Sequence, residues 1–199
     1  KIFNMTDKSI KKERIIEIAR NHFYEKGYYK TNLDEIAKEL NIAKGTIYNY
    51  FKSKSNLFVT IVEEDLKNVL EDVRKIVNSI EEPKVKIERF IDILWDKLYE
   101  FRNVLKMVEI SQKEFIFEED IFPLYMDKIY PIVSELKVLL RKLIMEGIHK
   151  GQFKNLEISA VSYFIGLSIK AFFMRFEDPV RYEDKEVIKE IILRGLLTC

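Results

Sequence analysis

The sequence predicts an all-α protein, and three observations carry that expectation. Only 6 Gly and 4 Pro occur among 199 residues, too little turn chemistry for a sheet protein. Apolar residues recur at three- and four-residue spacing along most of the chain rather than alternating. Hydrophobic residues make up 47%, ample for a packed core.

Helix one is expected from about Ser9 to Lys26, with Ile15, Ile18, Ala19, His22 and Phe23 inward and Gly27 as its C-cap. Leu33, Ile36, Ala37 and Leu40 mark a second helix. Thr31 is read as its N-cap, with Asp34 where a capping box wants an acid. Asn41 ends it, Asn being the non-Gly residue that best tolerates a left-handed backbone. Ile42, Ile47 and Phe51 give a third helix a narrow inward stripe. Lys52-Ser53-Lys54-Ser55 is a polar hinge, and Ser53 or Ser55 can cap a long fourth helix from Asn56 to about Ile80. Glu81-Glu82-Pro83 breaks that helix.

Helix five is expected from Lys84 to Arg102 and helix six from Val104 to Phe117, before the acidic turn Glu118-Glu119-Asp120. Pro123 and Pro131 interrupt the next stretch of chain, which predicts a short helix and then a longer one to Lys150, ended by Gly151. Ile158 to Phe176 is apolar nearly all round and is expected to be buried all round. A last helix runs from about Tyr182 to Leu197. One chain of this size can hardly cover both of these elements. The expectation is a homodimer through the last two helices, forming a four-helix interface.

Helices two and three form a helix-turn-helix. Beyond its inward stripe the third helix presents Lys44, Gly45, Thr46, Tyr48, Asn49 and Tyr50. Ammonium, hydroxyl, amide and phenol groups donate to phosphates and base edges, and no carboxylate occurs between Leu40 and Glu63 to repel a DNA backbone. Charge is split the same way. Residues 1–56 carry 12 Lys+Arg against 7 Asp+Glu, a net +5, which leaves 22 against 26, a net −4, for the rest. A basic first third on an acidic body is the asymmetry of a double-stranded DNA reader joined to a different module.

These residues resemble the TetR family of regulators. The resemblance is carried by Thr31, Ile36-Ala37, Lys44-Gly45-Thr46-Ile47-Tyr48, Tyr50-Phe51 and Lys54, with Arg14-Ile15-Ile16 through Phe23 and Gly27-Tyr28 upstream. It covers about the first 56 residues; beyond them only the helical layout matches. Two positions depart from the family pattern. Asn41 stands where Gly is usual, and Ala43 where Ser or Thr usually opens the recognition helix. Ala cannot cap, a loss of roughly 0.5–2 kcal/mol.

The resemblance implies a helix-turn-helix DNA-binding domain over 1–56 and an effector-binding and dimerisation domain over 57–199. It implies a dimeric, ligand-responsive transcriptional regulator on a near-palindromic operator. Lys44, Gly45 and Thr46 are expected at base edges, because the N-terminal part of a recognition helix lies deepest in the groove, Tyr48 at a base or a phosphate, and Asn49 among the DNA contacts. Tyr50 and Lys54 are expected at phosphates, as are Thr31 and Asn32. The family's pocket lies among the middle helices, which selects Trp95, Tyr99, Met107, Phe122, Tyr125, Met126, Tyr163 and Phe172 as ligand candidates. Core packing is the competing reading for each aromatic taken singly. As a group they suit a bulky apolar or aromatic effector released from a repressor. The alternative is a helix-turn-helix factor controlled by a protein partner, or an activator.

Other function classes find little support. No nucleophile elbow, phosphate loop or HExxH pattern occurs, so no catalytic residue is expected. His22 and His149 are the only histidines and Cys199 the only cysteine, so neither a metal site nor a cofactor is expected. A lone cysteine and no signal-type opening segment fit a cytoplasmic protein that does not enter a membrane.

Overall fold

The computed structural model describes the backbone of residues 7–102, 121–173 and 180–198, with side chains from Lys11 onward. The expected sixth helix, Val104–Phe117, and with it Met107, lies outside the described residues, as does Cys199. The described helices are α1 (Asp7–Lys30), α2 (Leu33–Glu39), α3 (Lys44–Phe51), α4 (Lys54–Val77), α5 (Pro83–Glu100), α6 (Ile121–Leu124), α7 (Tyr130–His149), α8 (Ile158–Phe173) and α9 (Asp184–Leu196). A π-helical turn, Tyr125–Ile129, joins α6 to α7. Among the described residues β pairing amounts to one isolated bridge, Phe153 to Leu197. The described residues form two compact units: 7–64 with 121–129, and 65–102 with 130–173 and 180–198.

In the first unit Ile15, Ile16, Ala19 and Phe23 of α1 are buried, as helical spacing requires. Gly27 keeps its breaking role, but as a kink within α1 at φ 78 and ψ 171, and the helix resumes to Lys30. The kink turns Tyr28 into the core. Its ring stacks on Phe23 at 6.0 Å and meets Phe58 edge-on at 5.2 Å, and its hydroxyl lies 3.0 Å from the Ser55 hydroxyl.

The caps differ from the expectation. Asn32, not Thr31, caps α2, its side-chain oxygen accepting from the Asp34 amide at 2.8 Å. Thr31 is buried, and its hydroxyl donates to the carbonyls of Gly27 (2.7 Å) and His22 (3.0 Å), closing the kinked end of α1. Asn41 takes φ 53, the left-handed turn residue its amide suits. Ala43 opens α3 without a side-chain cap. Lys52 also takes a positive φ, 63, and leads into α4. There Ser53, rather than Ser55, caps by accepting from the Asn56 amide at 3.0 Å.

In the second unit α5 is central. Ile87, Phe90, Ile91 and Trp95 share one buried face at i, i+3, i+4 and i+8. α7 supplies Leu139, Leu140, Leu143 and Ile144 to the core, α8 supplies Ile165, Ile169 and Phe173, and α9 supplies Ile188, Ile192 and Leu196. Buried Lys86 is satisfied three ways: Nζ donates to both Glu146 carboxylate oxygens (3.0 and 3.2 Å) and to the Val77 carbonyl (3.2 Å). α9 and the turn before it are tied to α5 by Lys189 on Asp92 (2.7 Å) and by Lys185 and the Tyr182 hydroxyl on Asp96 (3.2 and 2.9 Å). Burial alone would lower the Lys185 pKa, but Tyr182, Asp96 and Asp92 raise it above the usual lysine range.

The interruption expected at Pro131 takes the form of the π turn. Proline has no N–H to give the carbonyl four residues back, and its ring crowds that carbonyl. Widening the preceding turn to a π spacing relieves both.

Candidate nucleic-acid interface and effector region

Ile47 and Phe51 anchor α3 in the first unit's core, which turns the rest of the helix outward. Lys44, Gly45, Tyr48 and Asn49 are exposed, and Thr46 and Tyr50 are half-buried. A Cβ at Gly45 would meet nothing within 4 Å, so the protein's own packing does not demand glycine there. Its small size matters only to something that approaches from outside. Lys54, half-buried at the start of α4, sets its ammonium 4.6 Å from the Tyr28 ring centroid and 3.4 Å from the Tyr29 carbonyl, which fixes its direction. Asn32 is exposed, but its side-chain oxygen is engaged by the cap; the Thr31 hydroxyl is turned inward.

Sequence reasoning missed a carboxylate at this surface. Lys44 Nζ donates to Asp34 Oδ2 at 2.8 Å, and that bond raises the Lys44 pKa. The pairing joins residues ten apart across the turn, a separation that no helical periodicity exposes. His22 and Lys26 likewise tie α1 to α2. The His22 ring lies 2.8 Å from Glu39, and Lys26 donates to Glu35 at 2.6 Å, which lowers the Glu35 pKa.

The ligand candidates fall into different places. Trp95 is fully buried, 4.8 Å from the Phe173 ring and 5.8 Å from Phe172, which is half-buried. Tyr99, also half-buried, meets the Tyr182 ring edge-on at 5.4 Å and carries the Arg102 guanidinium 4.3 Å from its ring centroid. Phe122, Tyr125 and Met126 are exposed on α6 and the π turn, which belong to the first unit. Tyr163, expected among pocket residues, is 68% exposed. Nine residues from Phe172, it points to the opposite side of α8.

α8 is therefore not buried all round within one chain. Tyr163, Phe164 and Leu167 form an exposed face, and Val187 and Ile191 of α9 are exposed as well. Between α8 and α9 lies an open, apolar groove of about 390 Å³, with Leu156, Val161, Phe164 and Ile191 in its lining. Side chains added at Gly166 or Gly195 would meet nothing within 4 Å. Among the described residues no cluster of His, Cys, Asp or Glu could hold a metal, and no helix is long and apolar enough to cross a membrane.

Residues 15–61 match the model of the bacterial regulatory proteins of the tetR family. The HTH-type transcriptional regulator YfiR of Bacillus subtilis (strain 168) is 25% identical over 175 residues, 87% of this chain and 79% of that protein. The fatty acid metabolism regulator protein of Bacillus subtilis (strain 168) is 25% identical over 151 residues, 76% of this chain and 75% of that protein. Among solved structures, the transcriptional regulator FadR from Bacillus subtilis in complex with stearoyl-CoA superimposes with a TM-score of 0.70 at 21% identity, over 92% of this chain and 98% of that one. This last likeness is one of fold. The outward polar face of α3 lies within the matched segment, so residues 15–61 form a helix-turn-helix of the tetR family type, on a helical body whose fold is that of solved transcriptional regulators.

Proposed function

We propose that the chain is a homodimeric, ligand-released repressor that places α3 of each copy in the major groove of a near-palindromic operator in the cytoplasm. The observation that carries this reading is the outward face of α3, where Lys44, Gly45, Tyr48 and Asn49 are exposed and Thr46 is half-buried among them. Lys44 and Thr46 read base edges, Tyr50 and Lys54 hold phosphates, and Asn32 presents the α2 N-terminus to the backbone. Thr31 acts indirectly, by fixing the end of α1.

The second copy covers the apolar face of α8 and α9. Tyr163, Phe164, Leu167 and Ile191 exposed together on a single chain support this. Two-fold pairing fixes the half-site separation at about one helical turn or slightly more. The effector is a bulky, mostly apolar or aromatic molecule taken up in the body, where Trp95 and Phe172 form an aromatic cluster. A relative that regulates fatty acid metabolism and a stearoyl-CoA complex of the same fold support that class. Effector binding shifts the population to a form whose recognition helices do not match both half-sites, which requires different effector affinities in the two forms.

The test is enrichment of genomic DNA fragments by the purified protein at moderate salt, followed by sequencing. The expected result is a short two-fold-symmetric motif. A folded, dimeric protein that enriches no sequence would contradict the reading.

A further inference from the structure

Trp95 carries an atom that packing alone does not explain. Its side chain is 0% exposed, and its indole Nε1 is buried with no hydrogen-bond partner among the described residues. The indole N–H is a donor only, and orphaned buried donors are rare because burial strips their water without replacing it. Phenylalanine could supply an aromatic ring at this place without that penalty. The rings packed on Trp95, Phe172 and Phe173, bring no oxygen to accept the proton.

Resting on the effector reading above, we infer that the Trp95 indole N–H is the donor that recognises the effector, and that the effector carries a neutral oxygen acceptor on its apolar body. A ketone, ester or thioester carbonyl fits that description. A carboxylate does not. It would lose its hydration among phenylalanine rings, and the described cations that follow Trp95 along the chain are engaged elsewhere: Lys97 is paired with Asp65 and Glu100, and Arg102 lies over Tyr99. Because the donor is sealed in the free protein, the acceptor reaches it only if the core around α5 and α8 opens. Occupancy of this site is thereby linked to a change of conformation.

Trp95 is the single tryptophan of the chain, so ¹⁵N-labelled protein gives one indole N–H resonance. The probes are two isosteric pairs that differ only in C=O against C=CH₂: benzophenone with 1,1-diphenylethylene, and 2-tridecanone with 2-methyl-1-tridecene. We expect at least one ketone to bind about tenfold tighter than its alkene and to move the indole proton downfield, as hydrogen bonding does. In Trp95→Phe the two members of that pair should bind alike. Ketone and alkene binding equally to the wild-type protein, or a ketone binding with the indole proton unmoved, would overturn this inference and leave the effector reading intact. Failure of all four compounds to bind would remove the effector reading, and this inference with it. The wild-type titration needs no variant, so poor folding of Trp95→Phe does not prevent a decision.

Discussion

Thr46 and Tyr50 sit one turn apart on α3 and have different expected duties. Thr46 can offer its methyl group to thymine or its hydroxyl to a base edge, so Thr46→Ala should change preference at one base pair by about 1–3 kcal/mol. Tyr50→Phe removes only the phenol hydroxyl proposed to hold a phosphate and should weaken all sequences about equally. Binding of a panel of single-base variants separates the two, and a uniform loss from both would overturn the division. Asp34 is the acid beside this face, bonded to Lys44. Asp34→Asn should raise DNA affinity, because it removes a carboxylate that repels the DNA backbone and frees the Lys44 ammonium for a base edge; unchanged affinity would mean that Lys44 does not reach the duplex. At Gly147 the constraint is steric, because a Cβ there would collide with the Phe153 ring. Gly147→Ala should therefore lower stability by about 1–3 kcal/mol in urea unfolding.

At the scale of elements, buried stripes follow from periodicity, and ties between helices do not. Ile15, Phe23, Ile36 and Ile47 were all legible as apolar positions at helical spacing, and all are buried. Asn41 was legible because few side chains tolerate its left-handed turn, and it adopts φ 53. The cap of α2 was misread because both Thr31 and Asn32 are good capping residues. What decides between them is where the Gly27 kink leaves the Thr31 hydroxyl, which local sequence does not encode. Pairs such as Lys86 with Glu146 join residues sixty apart, and only the packing of α5 on α7 brings them together.

That pair also sets a pH dependence. Burial alone would raise the Glu146 pKa, but Lys86 and Lys150 outweigh it and hold the carboxyl below its usual value. A lowered folded-state value means that the contribution is present above the ordinary carboxylate range and is lost as pH falls through the lowered one. Glu146→Gln should cost about 1–3 kcal/mol at pH 7 by urea unfolding, with the deficit shrinking toward acid pH. A deficit independent of pH would assign the loss to packing instead.

On the scale of the whole molecule, the helix-turn-helix was the most legible part of the candidate site, because its chemistry is written in consecutive residues. The effector region was the least legible. Aromatic residues fill cores and line pockets alike, and sequence position alone did not separate Trp95, in the second unit's core, from Tyr163 on the open face of α8. That open face makes a whole-molecule prediction of its own. Leu167→Asp should yield a folded monomer by sedimentation, because it places a charge on the face proposed to meet a second copy. A variant that sediments like the wild-type protein would put the dimer elsewhere.

The central claim is that two copies of one recognition helix read a two-fold DNA site. Its most direct test is the stoichiometry and affinity of the protein on the enriched duplex and on the same duplex with one half-site scrambled, measured by sedimentation at fixed salt. The account predicts two chains, or a multiple of two, on the intact site, and a loss of at least tenfold in affinity when either half is scrambled. A single chain bound to each duplex, or equal affinity for the intact and half-scrambled sites, would contradict it.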